Sequence, residues 1–261
     1  MTLRLCLGAV LAALLASCQS QRQPQPLPLP QVMIWAWERP EDLRFLDELP
    51  ASSRPGVAYL DSMIFLRARV AVVQQRVSSL RLPPGVARLP VLRIETDRAP
   101  MPAPLLDAEQ RQHLVDAVVR RVESSGSRQV QLDFEATSSQ RDFYRRFLFE
   151  LRGRLGAAFR ISITALTSWC LQDRWLAALP VDEIVPMFYR LGPDGAWLRH
   201  QLASGRDLAR ECRRAHGFSI DEPLTRLPSP RRIYLFSPRS WQPMLLDQTM
   251  QRLGQTLENA P

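Results

Sequence analysis

With 261 residues, 46% of them hydrophobic, the chain can bury one large core and is too short for a string of domains. Its formal charge of +8 comes from arginine alone, since no lysine occurs; this is a compositional bias and not the mark of a nucleic-acid partner. Only three histidines occur, none spaced with a second metal ligand, and no strand is followed by a glycine-rich phosphate loop, so no metal and no cofactor are expected.

The chain opens with Arg4 and the apolar run "LCLGAVLAALL", shorter than the ~20 apolar residues of a spanning helix. Leu15, Ala16, Ser17 and Cys18 resemble the bacterial lipobox, which implies a signal peptide over residues 1–17 and acylation of Cys18; an ordinary signal peptide or a membrane anchor is the alternative. Gln19, not an aspartate, follows Cys18, and by resemblance to Gram-negative sorting this implies the outer membrane. Residues 18–31, rich in Gln and Pro, read as an extended tether of about 3 Å per residue, and residues 32–261 as a single domain. Cys170 and Cys212 remain for that domain, to pair in an oxidising compartment or to stay as free buried thiols.

Eight segments of strand length follow: Val32 to Glu38, Gly56 to Asp61, Leu89 to Glu95, Gln129 to Glu135, Phe159 to Leu166, Glu183 to Tyr189, His216 to Glu222 and Arg232 to Ser237. Between them, Asp107 and Gln110 at capping-box spacing, apolar Leu114, Val118 and Val122, and Gly126 as the stop predict a helix. Further helices are expected over Ser139 to Gly156, Leu171 to Leu179 and Leu245 to Leu257. This alternation predicts parallel strands with helical crossovers, as a lean (β/α)8 TIM-type barrel in preference to an open doubly wound sheet. The β-branched stretch between Leu60 and Leu89 predicts an extra β-ribbon after the second strand in place of a crossover helix.

In such a barrel, active sites are built at the C-terminal ends of the strands. Along "QVQLDFEA", Val130, Leu132 and Phe134 would face the helices while Gln131, Asp133 and Glu135 point inward, Glu135 nearest the mouth. Other strand ends would bring Trp35, Trp37 or Glu38, Asp61, Arg93, Glu95, Tyr189, Asp221 and Glu222 to the same rim, with Trp241 beyond the last strand. Carboxylates and aromatic rings suit a sugar: rings stack on pyranose faces, and carboxylates supply acid and base for glycosidic cleavage. The alternative is that the carboxylates pair with Arg93 or Arg190 and simply hold the mouth together.

The segments "IWAWERPEDLRFL", "VQLDFEA", "LTSWC", "LPVDEIVPMFYRLG", "DEP" and "YLFSPRSW" resemble an uncharacterised bacterial family catalogued as domain of unknown function 3142, which carries no established activity. A remoter resemblance is to family 18 glycoside hydrolases, the chitinases, through D-x-x-D-x-D-x-E on the fourth strand and M-x-Y-D on the sixth. Here the first pattern reads Arg128, Gln131, Asp133, Glu135 and the second Met187, Tyr189, Arg190. That likeness implies Glu135 as general acid, Asp133 as the residue orienting a substrate acetamido group, and Tyr189 as donor to its carbonyl. From their places on the inward face or at the rim, and not from the resemblance, Trp35, Trp37, Glu95, Gln131, Asp221, Glu222 and Trp241 are the expected binding residues, with a glycan as the partner. Two further arrangements stay open: a two-carboxylate mechanism pairing Glu135 with Asp221 or Glu222, and a carbohydrate-binding or envelope-assembly lipoprotein that uses the same rim without turnover. In the catalytic case a dry mouth and the charge of Asp133 would both disfavour the charged form of Glu135.

Overall fold

The computed structural model describes residues 28–96, 102–171, 175–204, 207–223 and 232–258. Its strands are β1 (Val32–Ala36), β2 (Glu41–Asp42), β3 (Gly56–Arg67), β4 (Val70–Gln75), β5 (Leu80–Arg81), β6 (Arg88–Thr96), β7 (Gln129–Asp133), β8 (Arg160–Leu166), β9 (Glu183–Met187), β10 (Ala215–Ser219) and β11 (Arg232–Phe236). The helices are α1 (Ala108–Ser125), α2 (Arg141–Leu155), α3 (Thr167–Leu171), α4 (Gly195–Ala203) and α5 (Pro243–Glu258).

Strands β1, β3, β6, β7, β8, β9, β10 and β11 run parallel, and β1 pairs with both β11 and β3, which closes them into an eight-stranded barrel. Alternation sorts the apolar residues into two cores. Met33, Trp35, Ala58, Leu89, Val91, Val185, Ala215 and Tyr234 fill the interior, while Ile34, Val57, Leu92, Leu132, Ile163 and Leu235 belong to the larger layer under the helices. The eight expected strands are the eight barrel strands.

The ribbon expected after the second strand is the hairpin of β3 with antiparallel β4, from Ser62↔Gln75 to Arg67↔Val70. β3 is long enough to pair with β1 at its start and with β4 at its end. A register shift between Leu60 and Ser62 marks a bulge at Asp61. Asp61 therefore leaves the rim where it was expected and pairs with Arg121 of α1 at 2.9 Å, while Met63 lines the mouth.

α1 starts at Asp107, whose side chain accepts from Gln110 N at 2.8 Å, and stops at Gly126, which takes the left-handed conformation at φ 65°. The third helix departs from expectation. It lies earlier, at Thr167–Leu171, and Trp175 to Ala178 form turns where a helix was anticipated. The spacing of Leu176 and Leu179 reflects two buried anchors on that turn, not a helical face. α4 was not expected.

Cys170 of α3 and Cys212, in a short 3-10 turn before β10, form a disulfide that spans β9. His216 lies on the outer side of β10 between Phe188 and Phe218 and is almost fully buried. Burial holds its pKa down at about 4, against a slight opposing pull from the Cys212 backbone, and neither ring nitrogen makes a well-formed hydrogen bond. It is a neutral core histidine.

At the barrel's N-terminal end, Arg232 pairs with Glu183 and donates to the carbonyls of Pro30 at 3.0 Å and Leu29 at 3.2 Å. Tyr234 OH donates to Glu183 at 2.6 Å. The incoming chain is thus fastened to the barrel floor.

Candidate active site

At the other end, a cavity of about 470 Å³ opens among the C-terminal ends of the strands. Trp35 forms its floor, stacked on Tyr234 at 5.3 Å between ring centroids, and Trp37, Tyr189 and Phe236 line its wall. Tyr189 lies parallel to Phe236 at 5.5 Å and tilted to Trp35 at 6.2 Å, so the three rings brace one another. Burial, then the nearby Asp133 and Glu135 carboxylates, push the Tyr189 phenol well above its ordinary pKa, so it is a neutral hydrogen-bond donor at any physiological pH.

Asp133, the last residue of β7, is almost wholly buried. Its Oδ1 accepts from Thr164 Oγ1 at 2.6 Å and its Oδ2 from Arg93 Nη1 at 3.0 Å. A carboxylate offers about four acceptor positions, so capacity remains for a ligand N–H. Glu135 stands two residues further on, its side chain 46% exposed and 3.8 Å from Arg93 Nη2. The dry surroundings expected for Glu135 are therefore not those it has. Arg93 Nε also donates to Glu95 at 2.5 Å, and the guanidinium lies over Trp37 at 5.4 Å. Burial opposes its charge, but Asp133, Glu95 and Glu135 together raise its pKa.

Arg190 stands in the left-handed region at φ 50° and pairs with Asp221 at 2.9 Å and Glu222 at 2.8 Å. The Ser219 hydroxyl, then Arg190, keep the Asp221 carboxyl below its ordinary range. These two carboxylates form a rim bracket around Arg190 and do not line the cavity that holds Glu135.

The structure therefore gathers Trp35, Trp37, Glu95, Asp133, Glu135 and Tyr189 around one cavity. Gln131 lies beneath its floor, fully buried, accepting from Trp35 Nε1 at 2.8 Å and donating to Ser162 Oγ at 3.2 Å. It orients the tryptophan and offers no atom to the mouth. Trp241 is likewise wholly buried, its Nε1 donating to the Trp35 carbonyl at 2.9 Å, because the segment after β11 folds under the rim rather than over it. Cys18 lies outside the described residues. Thr164 and Phe236 were missed, although the alternating Ser162 and Thr164 of β8 and Tyr234 and Phe236 of β11 carry the inward parity that would have named them.

No family model matches the chain, so the resemblance to the uncharacterised bacterial family gains no support from that side, and no curated protein matches it either. Solved structures do. A putative chitinase A from Streptomyces coelicolor superposes with a TM-score of 0.57 at 10% identity, over 88% of this chain and 98% of that one. A GH18 chitinase from Pseudoalteromonas aurantia gives 0.52 at 13% identity, over 85% and 99%. The catalytic domain of a family GH18 chitinase from the fern Peteris ryukyuensis gives 0.51 at 13%, over 85% and 99%. At these identities the likeness is one of fold: the chain shares the (β/α)8 barrel architecture of these proteins.

Proposed function

We propose that the chain is a glycoside-hydrolase-like barrel acting on an N-acetylated glycan of the cell envelope or its surroundings. The carrying observation is the end of β7, where Asp133 and Glu135 meet an aromatic wall that includes the neutral donor Tyr189. In this reading Glu135 gives its proton to the glycosidic oxygen as the bond to the anomeric carbon breaks. The substrate's own acetamido oxygen bonds to that carbon, its N–H held by Asp133 and its carbonyl side by Tyr189. Water then adds to the anomeric carbon, Glu135 takes back a proton, and the acetamide is restored.

One observation favours a second reading, binding without cleavage. Arg93 is paired with Asp133 and lies within ion-pair distance of Glu135, an arrangement that suits charged carboxylates better than a protonated acid. Arg128, Gln131 and Arg190 also stand where the chitinase patterns have acids.

Incubating the protein with N-acetylated oligosaccharides of several linkages, with calorimetry and reducing-end release as readouts, separates the two. Binding with release supports hydrolysis, and binding without release supports the second reading. No binding to any of them sinks both.

The signal-like residues 1–17, Cys18 and the Gln- and Pro-rich segment 18–31 support export as a lipoprotein, at the outer membrane in a Gram-negative host. Cys18→Ser is expected to shift the protein from the membrane fraction to the soluble one. A variant that still sediments with membranes after a salt wash would overturn the anchor.

A further inference from the structure

A second cavity, of about 590 Å³, lies outside the mouth, bounded by the segment after β10, the segment after β11 and α5. One ion pair stands between the two: Arg190 lines the mouth, Asp221 lines the second cavity, and they are 2.9 Å apart. The stripe of α5 that faces this cavity is polar. Leu246 and Leu253 turn into the core, while Gln248, Thr249 and Arg252, at helical spacing, turn toward the open space.

Two guanidinium groups line the cavity, and among the described residues neither Arg239 nor Arg252 makes an ion pair. Arg252 Nη2 donates to the Ile220 carbonyl at 2.7 Å, which fixes the group in place and leaves its remaining N–H donors for a ligand. Asp221 is the one carboxylate among the described lining residues, and it is already held by Arg190 and the Ser219 hydroxyl. Of the neighbouring acids, Glu222 is paired with Arg190 at 2.8 Å, and Asp247 accepts from Gln251 Nε2 at 3.0 Å. The rest of the lining limits what can carry the matching anion. Ile220, Pro238 and Leu245 give the cavity an apolar side, and the described lining has no aromatic ring on which a base could stack. An apolar side bordered by amide and hydroxyl groups suits a saturated sugar ring, with C–H faces and hydroxyls that both donate and accept.

We infer that the second cavity seats a carboxylated sugar, so that the glycan lying across the mouth is an acidic one. This deepens the proposed glycan reading and rests on it. The two cavities divide the ligand: an acetamido N–H goes to Asp133 in the mouth, and the carboxylate of a sugar further along the chain goes to Arg239 and Arg252. Charge-assisted hydrogen bonds of this kind are about twice as strong as neutral ones. Arg190, held by Asp221 and Glu222, screens the acid from the carboxylates of the rim.

The test compares one N-acetylated oligosaccharide in its neutral form and after part of its primary hydroxyl groups has been oxidised to carboxylates. Calorimetry is run at about pH 7, where carboxylates are ionised. The acidic form is expected to bind roughly ten-fold tighter, with the advantage shrinking as salt is raised toward ~1 M. Arg239→Gln should cut the ratio of the two affinities several-fold, and Arg239→Lys, which keeps the charge, should retain most of it. Four results would overturn the inference and leave the glycan reading standing: equal binding, tighter binding of the neutral form, a preference indifferent to both salt and Arg239→Gln, or a glutamate-rich peptide that binds as tightly as the acidic sugar. If neither oligosaccharide binds, both readings fall.

Discussion

Glu135→Gln is expected to abolish release of reducing ends from any N-acetylated oligosaccharide the wild type cleaves, while leaving the affinity for it within a few-fold. Gln keeps the size and the hydrogen-bonding oxygen of the side chain but has no proton to give. General acid catalysis contributes about 10²- to 10⁴-fold, so the loss should be about 3–5 kcal/mol in the barrier. Glu135 is exposed and lies beyond the end of β7, so the exchange removes no core contact, and the fold should persist with an unchanged circular dichroism spectrum. Asp133→Ala is a different case: it strips a nearly buried carboxylate from both Arg93 and Thr164. It should therefore lower rate, affinity and stability together. The contrast between the two variants separates a group that reacts from one that positions. A Glu135→Gln protein that still cleaves at the wild-type rate would remove Glu135 from the acid role.

Opening the Cys170–Cys212 disulfide is expected to cost about 4 kcal/mol, the chain-entropy value for a closed loop of 42 residues. Cys170 lies next to the end of α3 and Cys212 sits in the turn that leads into β10, so the bond ties together the connections on either side of β9. The carbonyl of Cys170 also accepts from Ala209 N at 2.8 Å, so backbone pairing already holds the two segments in register. Removing the bond should therefore leave the native geometry intact and act mainly by freeing the unfolded chain. Urea titration of the wild type and of a Cys170→Ala, Cys212→Ala double variant measures it, with no stray thiol to reshuffle. An unchanged midpoint would show that the bond adds nothing the packing does not already supply.

The barrel was legible because its signals are local and repeated. A strand buried on both sides must alternate between two apolar environments, and "VMIWA", "GVAYL" and "RIYLF" each write that alternation out. The hairpin after the second strand was legible for the same reason, since β-branched residues such as Val70, Val72 and Val73 suit an extended backbone. The site was legible as a parity argument only: Asp133 and Glu135 had to lie on the interior side of their strand. Their partners were not, because side-chain pairing depends on which strands become neighbours and on register. One extra residue at Asp61 removed that carboxylate from the rim, and the neighbouring β6 brought Arg93 against Asp133. Gln131 and Trp241 show the limit of depth: position along a strand or in a motif indicates a direction, but whether an atom reaches the cavity or lies a layer below it is decided by packing.

The fastening of the incoming chain has a mechanical side. Any pull on the segment before Leu29 reaches the barrel at the face opposite the cavity and meets Arg232 first. Arg232 passes the load in two directions, along its own strand β11 and, through Glu183, to β9 two places round the barrel. The amide of Ile233, donating to the Gln31 carbonyl at 2.7 Å, adds a third point of purchase beside β1. Tension is thus shared by three strands in shear instead of peeling β1 away bond by bond, and the strand ends that carry Asp133 and Glu135 stay out of the line of force.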